Sequence, residues 1–198
     1  MSNQIIVSVS REYGSGGHEI ATILAKRLGI NMYDRSIIDE IATKLNVSPE
    51  TLDQYDEKPK NFFLTRRVGT HSSSMEDALV DMEFDFIKQK AESGESFVIV
   101  GRCADWVLRD HPGLITIFIS GDEKLKIQRI VNRRKISEDV AADAVKRIDK
   151  RRKWYHNRHS EYKWGDSRHY DVCINSAVGV ESTADVLELY VNKKSGTR

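Results

Sequence analysis

Gly14, Gly16 and Gly17 follow directly on an apolar, β-branched run containing Ile5, Ile6, Val7 and Val9. After them Ile20, Ala21, Ile23, Leu24 and Leu28 recur at helical spacing. A buried strand, a glycine loop and an amphipathic helix, in that order, aim backbone N–H groups and the positive end of a helix dipole at one point. That point suits a phosphate, because glycine takes φ > 0 and lets the anion approach the backbone closely. The same order also serves as a tight turn that binds nothing. A second set of residues has the complementary chemistry. Arg129, Arg133, Arg134 and Lys135 are followed by Lys146, Arg147, Lys150, Arg151, Arg152 and Lys153, with Asp149 among them. Planar guanidinium forks suit bidentate phosphate contacts. On a helix, Arg147 and Arg151 share one face at i,i+4, while Asp149 and Arg152 share another at i,i+3. Such a helix can show arginines to phosphates and a carboxylate to a sugar or base. Lys146, Lys150 and Lys153 are expected to form a solvated face. Arg102, placed directly after the apolar run Phe97–Val100, reads as a ligand contact or a structural ion-pair partner.

The elements that must position these residues alternate along the chain. Residues 30–33 form a short apolar stretch ending in Asp34 and Arg35, a second strand with charges at its carboxyl end. Ser36 is a candidate N-cap for a helix carried by Ile37, Ile38, Ile41, Ala42 and Leu45. Pro49 opens a shorter helix at its favoured first position. Residues 58–74 are polar, with Phe62, Phe63 and Leu64 as the apolar cluster of a mobile connection. Residues 75–93 return to helical spacing through Leu79, Met82, Phe86 and Ile87. Strands follow at residues 97–100, 114–119 and 172–174, and helices at 122–134, from 138 through Tyr155 or beyond, and at 181–191. Alternation of this kind specifies an α/β fold with a mostly parallel sheet and helices on both faces. Ligands then bind at the carboxyl ends of the strands. The glycine loop, Asp34, Arg35, Gly101, Arg102 and the basic segment are therefore expected on one rim.

Composition removes several alternatives. The 198 residues suit a single domain, with 39% hydrophobic and 31% charged residues. No apolar run approaches the roughly 20 residues of a membrane span, and the polar start gives no sign of a signal peptide. A net charge of +1 argues against a dedicated nucleic-acid binder. Cys103 and Cys173 lack metal-ligand spacing and read as free thiols of a cytoplasmic protein. His156, His159 and His169 make no convincing metal set. His18, at the start of the first helix, reads as a surface residue. Trp154, Tyr155, Tyr162 and Trp164 are expected to pack the long helix against the body, and residues 193–198 to be disordered.

Five stretches together resemble the cytidylate kinase-like proteins, relatives of bacterial CMP kinases among the P-loop nucleoside monophosphate kinases. They are SREYGSGGHEIA (10–21), LAKRLGINMYDRSII (24–38), VGRCADWVL (100–108), RIDKRR (147–152) and DVCINSAVGVESTADVL (171–187). The resemblance implies a three-layer P-loop kinase fold over residues 1–198. A monophosphate-binding lobe would span about 35–93 and a basic helical lid about 133–170. It implies ATP with Mg²⁺ as donor and CMP or a similar monophosphate as acceptor. Gly14, Ser15, Gly16, Gly17 and His18 would cradle the ATP phosphates, while Asp34 and Arg35 would open the acceptor lobe. Arg102 would approach the acceptor phosphate. Arg147, Asp149 and Arg152 match the set associated with the cytidine nucleotide and the transferred phosphoryl, and Arg129 and Arg133 lie at the edge of the lid.

The chain departs from the family in the loop itself. Over G-x-x-x-x-G-K-[ST] the first glycine becomes Arg11, the lysine becomes Gly17 and the hydroxyl becomes His18. The aspartate expected after Gly101 and Arg102 is Cys103. Arg11 is the nearest cation to replace the lysine, and the residues that would hold a metal are not identified. Two rival functions follow. One is a nucleotide sensor with little or no turnover. The other is a dinucleotide-binding oxidoreductase, suggested by Gly14-Ser15-Gly16 with Asp34 about 20 residues on, though its third glycine would be Glu19.

Overall fold

Residue alternation along β1 (Ile6–Arg11) sets the layering, because Ile6 faces one apolar cluster while Val7 and Val9 face another. The computed structural model describes residues 4–53 and 75–196. The expectations for residues 58–74, including Phe62, Phe63 and Leu64, lie outside the described residues. β1 pairs in parallel with β3 (Phe97–Val100) on one side and β4 (Leu114–Ser120) on the other. β2 (Asn31–Tyr33) adds to β3 and β5 (Val172–Asn175) to β4, giving the order β2-β3-β1-β4-β5. β3 reads as an unbroken apolar run, and Ser8, Ser10 and Thr116, polar residues within β1 and β4, are buried as well, because both faces of these strands are covered. α1 (Gly17–Leu28) and α8 (Val180–Ser195) cover one face through Ile20, Leu24, Leu187 and Val191. α2 (Ile37–Leu45), α3 (Pro49–Asp53), α4 (Met75–Glu92) and α5 (Ala104–Val107) cover the other. α6 (Glu123–Arg134) and α7 (Glu138–His159) pack on each other around Ile130, Ala141, Ala144 and Val145, and Tyr13 from the glycine loop joins that cluster. The result is the expected three-layer fold with helices on both faces. Its strand order also separates it from the dinucleotide-binding arrangement, in which β2 rather than β3 lies beside β1.

Several local expectations change in the structure. Ser36 stands at the N-cap of α2, but its side chain makes no capping bond; the Asp34 carboxylate instead accepts from the Ser36 amide at 2.9 Å. Helix α8 continues through Lys193 and Lys194 to Ser195 rather than giving way to disorder at residue 193. Buried Val191 and an ion pair of 2.6 Å from Lys194 to Asp171 hold its last turn. α5, a single turn after Arg102, has no counterpart in the sequence reading because four residues carry too little periodicity. The aromatic residues after α7 do pack inward. Trp164 meets Phe118 edge-on at 5.1 Å and Trp106 meets Tyr162 at 4.9 Å. Among the described residues, no helix is long and apolar enough to cross a membrane.

Asp171 ties the edge of the sheet to α8. Its carboxylate accepts from the Thr116 amide at 2.8 Å and pairs with Lys194. Burial alone would raise this carboxyl, but Lys194 and Thr116 outweigh it and hold it below the ordinary carboxylate value. A depressed carboxyl stabilises the fold above its unfolded pKa, near 4, and loses that contribution as pH falls through the folded value. Asp171→Asn should therefore cost about 1 kcal/mol at pH 7, water already screening the Lys194 side. The difference should shrink below about pH 4, as urea unfolding at the two pH values would register.

Candidate active site at the carboxyl ends of the strands

Parallel pairing brings the ends of β1, β2, β3 and β4 to one rim, with Arg11 opposite Ile119, Val9 opposite Val100 and Tyr33 opposite Ile99. The glycine loop springs from β1. Gly14 and Gly16 take φ of 84° and 79°, and Gly16 caps α1 in the left-handed conformation. Buried Ser15 turns its hydroxyl inward, donating to the Glu12 carbonyl at 2.8 Å and accepting from the Gly17 amide at 3.3 Å. The Gly17 amide is thus turned inward, so the part of the helix start that can favour an anion begins at His18 and Glu19.

Above the loop lies a cleft of about 270 Å³ lined by Gly14, Gly16, Gly17 and His18 together with Arg11, Arg129, Arg133 and Arg152. Arg129 donates to the Gly14 carbonyl, and the guanidinium groups of Arg133 and Arg152 lie 5.8 and 5.7 Å from the centre of the Tyr13 ring. A Cβ on Gly16 would meet Val180 at 3.0 Å and the Arg129 guanidinium at 3.4 Å, besides adopting a disfavoured φ. Gly16→Val is accordingly expected to remove measurable ATP binding while circular dichroism remains unchanged. ATP affinity equal to that of the wild type would contradict the loop's assignment as a phosphate cradle.

A second, narrower cavity of about 20 Å³ adjoins the ends of β1 and β3 and is lined by Gly101, Arg102, Cys103 and His156. Arg11 and Arg152 line both cavities, and Arg152 donates to the Arg11 carbonyl at 3.1 Å. These two arginines thus stand between the loop and the end of β3. Gly101, Arg102 and Cys103 take φ of 81°, 59° and 52° in succession. For Arg102 and Cys103 the left-handed region costs of order 1–3 kcal/mol each. The turn sends Arg102 inward, where it is buried against Glu83 of α4 at 2.7 Å, and the Tyr155 hydroxyl donates to the same carboxylate at 3.1 Å. Of the two readings of Arg102 offered by the sequence, the structural ion pair is present.

Asp149 lies on the underside of the loop. Its carboxylate accepts from the Tyr13 amide at 2.6 Å and lies 3.5 Å from Lys126, which itself pairs with Glu12 at 2.9 Å. Glu12 also accepts from the Gly121 amide at 3.1 Å, so α6, α7 and the turn after β4 all grip the loop. Burial raises the Asp149 carboxyl from its ordinary value, with the Tyr13 amide, Lys126 and Arg152 opposing. Arg147 is exposed and lines neither cavity. Two residues along a helix is a rotation of about 200°, which puts Arg147 on the far side from Asp149. Lys146, Lys150 and Lys153 are exposed, as a solvated face requires. His18 is exposed at the mouth and bonds to the Asp34 carboxylate at 2.8 Å; Arg35 is exposed in the turn after β2.

Several residues of the site were not singled out by sequence. Glu83 sits on the apolar stripe of α4 with Leu79, Phe86 and Ile87, and a charge on an apolar face is a readable sign of a buried partner. Buried Lys126 precedes Ile130 by one helical turn and carries the same sign. His156 and Asp105 are both buried and meet at 2.7 Å, a pairing between α7 and α5 with no mark in either segment alone. Among the described residues, no group of three or more His, Cys, Asp or Glu side chains could hold a metal ion.

Solved structures place this architecture. An uncharacterized protein from Eubacterium ventriosum is 38% identical, with a TM-score of 0.76, over 96% of this chain and 99% of that one. Shikimate kinase from Bacteroides thetaiotaomicron (12% identity, TM-score 0.57) covers 95% of this chain and 98% of its own. A gluconokinase from Sinorhizobium meliloti (14%, 0.54) covers 98% and 95% respectively. These two distant kinases share the fold, which is that of the P-loop kinases. No curated protein matches the sequence. The family model for the cytidylate kinase-like family matches residues 6–178, nearly the whole of the sheet and its helices, and the chain belongs to that family.

Proposed function

We propose that the protein transfers the γ-phosphoryl group of ATP to a nucleoside monophosphate, CMP being the favoured acceptor. The observation that carries this reading is the cleft over residues 14–18, where a helix start and four arginines converge and two of those arginines also border the cavity at the end of β3. The loop fits a polyphosphate because left-handed glycines, a helix start and four arginines meet there. Phosphoryl transfer asks a protein chiefly for positioning and charge stabilisation. Arg129 and Arg133 hold the donor phosphates from α6, and Arg152 acts on charge that develops during transfer. Arg102, locked to Glu83, supports the acceptor side. Asp149 positions the loop through Tyr13 and Lys126, and Arg147 serves the solvent face. Mg²⁺ bound with ATP would neutralise phosphate charge. It commonly uses one or two carboxylates together with substrate phosphates and water, and Glu12 and Glu19 are the carboxylates that line the cleft. An acceptor phosphate is already ionised at neutral pH and needs no base.

One observation favours a second acceptor class. The buried His156–Asp105 pair near Arg102 is a base that a hydroxyl acceptor would need. The test is ADP formation from ATP-Mg²⁺ with a panel of nucleoside monophosphates, shikimate and gluconate. Turnover with a monophosphate supports the proposal, and turnover with hydroxy acids alone replaces the acceptor class. ATP binding without any turnover indicates a nucleotide sensor.

A further inference from the structure

The two departures from G-x-x-x-x-G-K at residues 11 and 17 touch each other in space. A Cβ added to Gly17 would lie 2.6 Å from Cβ and 3.0 Å from Cγ of Arg11. Cβ is rooted on the backbone, and β1 fixes its position by pairing Arg11 with Ile119. Rotating χ1 leaves Cβ where it is, so any side chain at residue 17 collides while residue 11 carries one. From there the Arg11 side chain runs to the end of β3, where a Cβ on Gly101 would lie 2.6 Å from Nη1. The stem thus passes against one glycine, and the guanidinium lies against another and borders both cavities.

We infer that Arg11 and Gly17 form a reciprocal exchange. The cation that a P-loop takes from the residue opening its helix comes here from the last residue of the strand, and Gly17 lacks a side chain so that the Arg11 stem can pass. The paired change accounts for a kinase fold without its loop lysine. It deepens the phosphotransferase reading above, and it rests on that reading for the identity of the anion as the terminal phosphates of a polyphosphate.

The exchange is tested by four proteins: wild type, Arg11→Gly, Gly17→Lys and the double variant Arg11→Gly/Gly17→Lys. Calorimetric binding of inorganic tripolyphosphate and the unfolding temperature are measured for each. Arg11→Gly should stay folded and bind tripolyphosphate about 10- to 100-fold more weakly, the worth of a charge-assisted contact. Gly17→Lys alone should unfold at a lower temperature and lose binding through the collision. The double variant should regain both, with affinity within about threefold of the wild type, the lysine now having its usual place. Wild-type affinity in Arg11→Gly, a double variant no better than the poorer single, or a wild type that does not bind tripolyphosphate overturns the inference. Tripolyphosphate binding that follows this pattern while no acceptor is phosphorylated leaves the exchange standing and removes only the kinase reading.

Discussion

Replacing Arg152 with alanine is expected to lower turnover by about 10³–10⁵, the range for an arginine that stabilises transferring charge. Arg152 borders both cavities, donates to the carbonyl of Arg11 and lies over the Tyr13 ring. A ground-state contact would show mainly in KM. One that strengthens as charge develops lowers kcat and kcat/KM together. Arg152→Lys keeps the charge but not the planar fork, so it should recover only part of the loss. Steady-state kinetics at saturating ATP, alongside unfolding temperatures for both variants, separates this role from a structural one. Equal losses of stability and activity would mean that Arg152 acts only by holding β1 against α7.

Removing the carboxylate of Glu83 should have the largest effect on stability. The Arg102–Glu83 pair is almost wholly buried, with side-chain exposures of 4% and 1%. Breaking a buried pair by deleting one partner costs about 3–5 kcal/mol, because the remaining charge keeps its desolvation penalty. Glu83→Ala also takes the acceptor from the Tyr155 hydroxyl and releases the left-handed turn at Arg102 and Cys103. A shift of this size lowers the unfolding temperature of a domain this long by about 6–20 °C. Replacing both residues by methionine should recover much of that stability, since an apolar pair of similar volume is often neutral. Thermal unfolding of the single and double variants checks both statements. A Glu83→Ala protein as stable as the wild type would show that the pair adds nothing.

Much of the architecture was legible because it rests on local patterns. The apolar runs at Phe97–Val100 and residues 114–119, and the helical spacing of Ile20, Leu24 and Leu28, each satisfy one periodicity over enough residues to be read. The glycine loop was legible for the same reason. The pairings that make the site are less so, because they join residues far apart in the chain. Asp149 carries a face assignment on its own helix, yet its partner is the amide of Tyr13, 136 positions away. Arg147 matched a family pattern by spacing but points to solvent, since a two-residue step reverses the helix face. Arg11 stood out as the cation nearest in sequence; its contact with Gly17 emerges only when the strand and the helix start are set side by side.

A crystal structure with a non-hydrolysable ATP analogue and Mg²⁺ tests the central claim most directly. The account predicts the β- and γ-phosphates on the backbone amides of residues 14–18, within hydrogen-bonding reach of Arg129 and Arg133, with the terminal phosphate between Arg11 and Arg152. Phosphates bound elsewhere on the chain, or a loop left empty at saturating nucleotide, would contradict it.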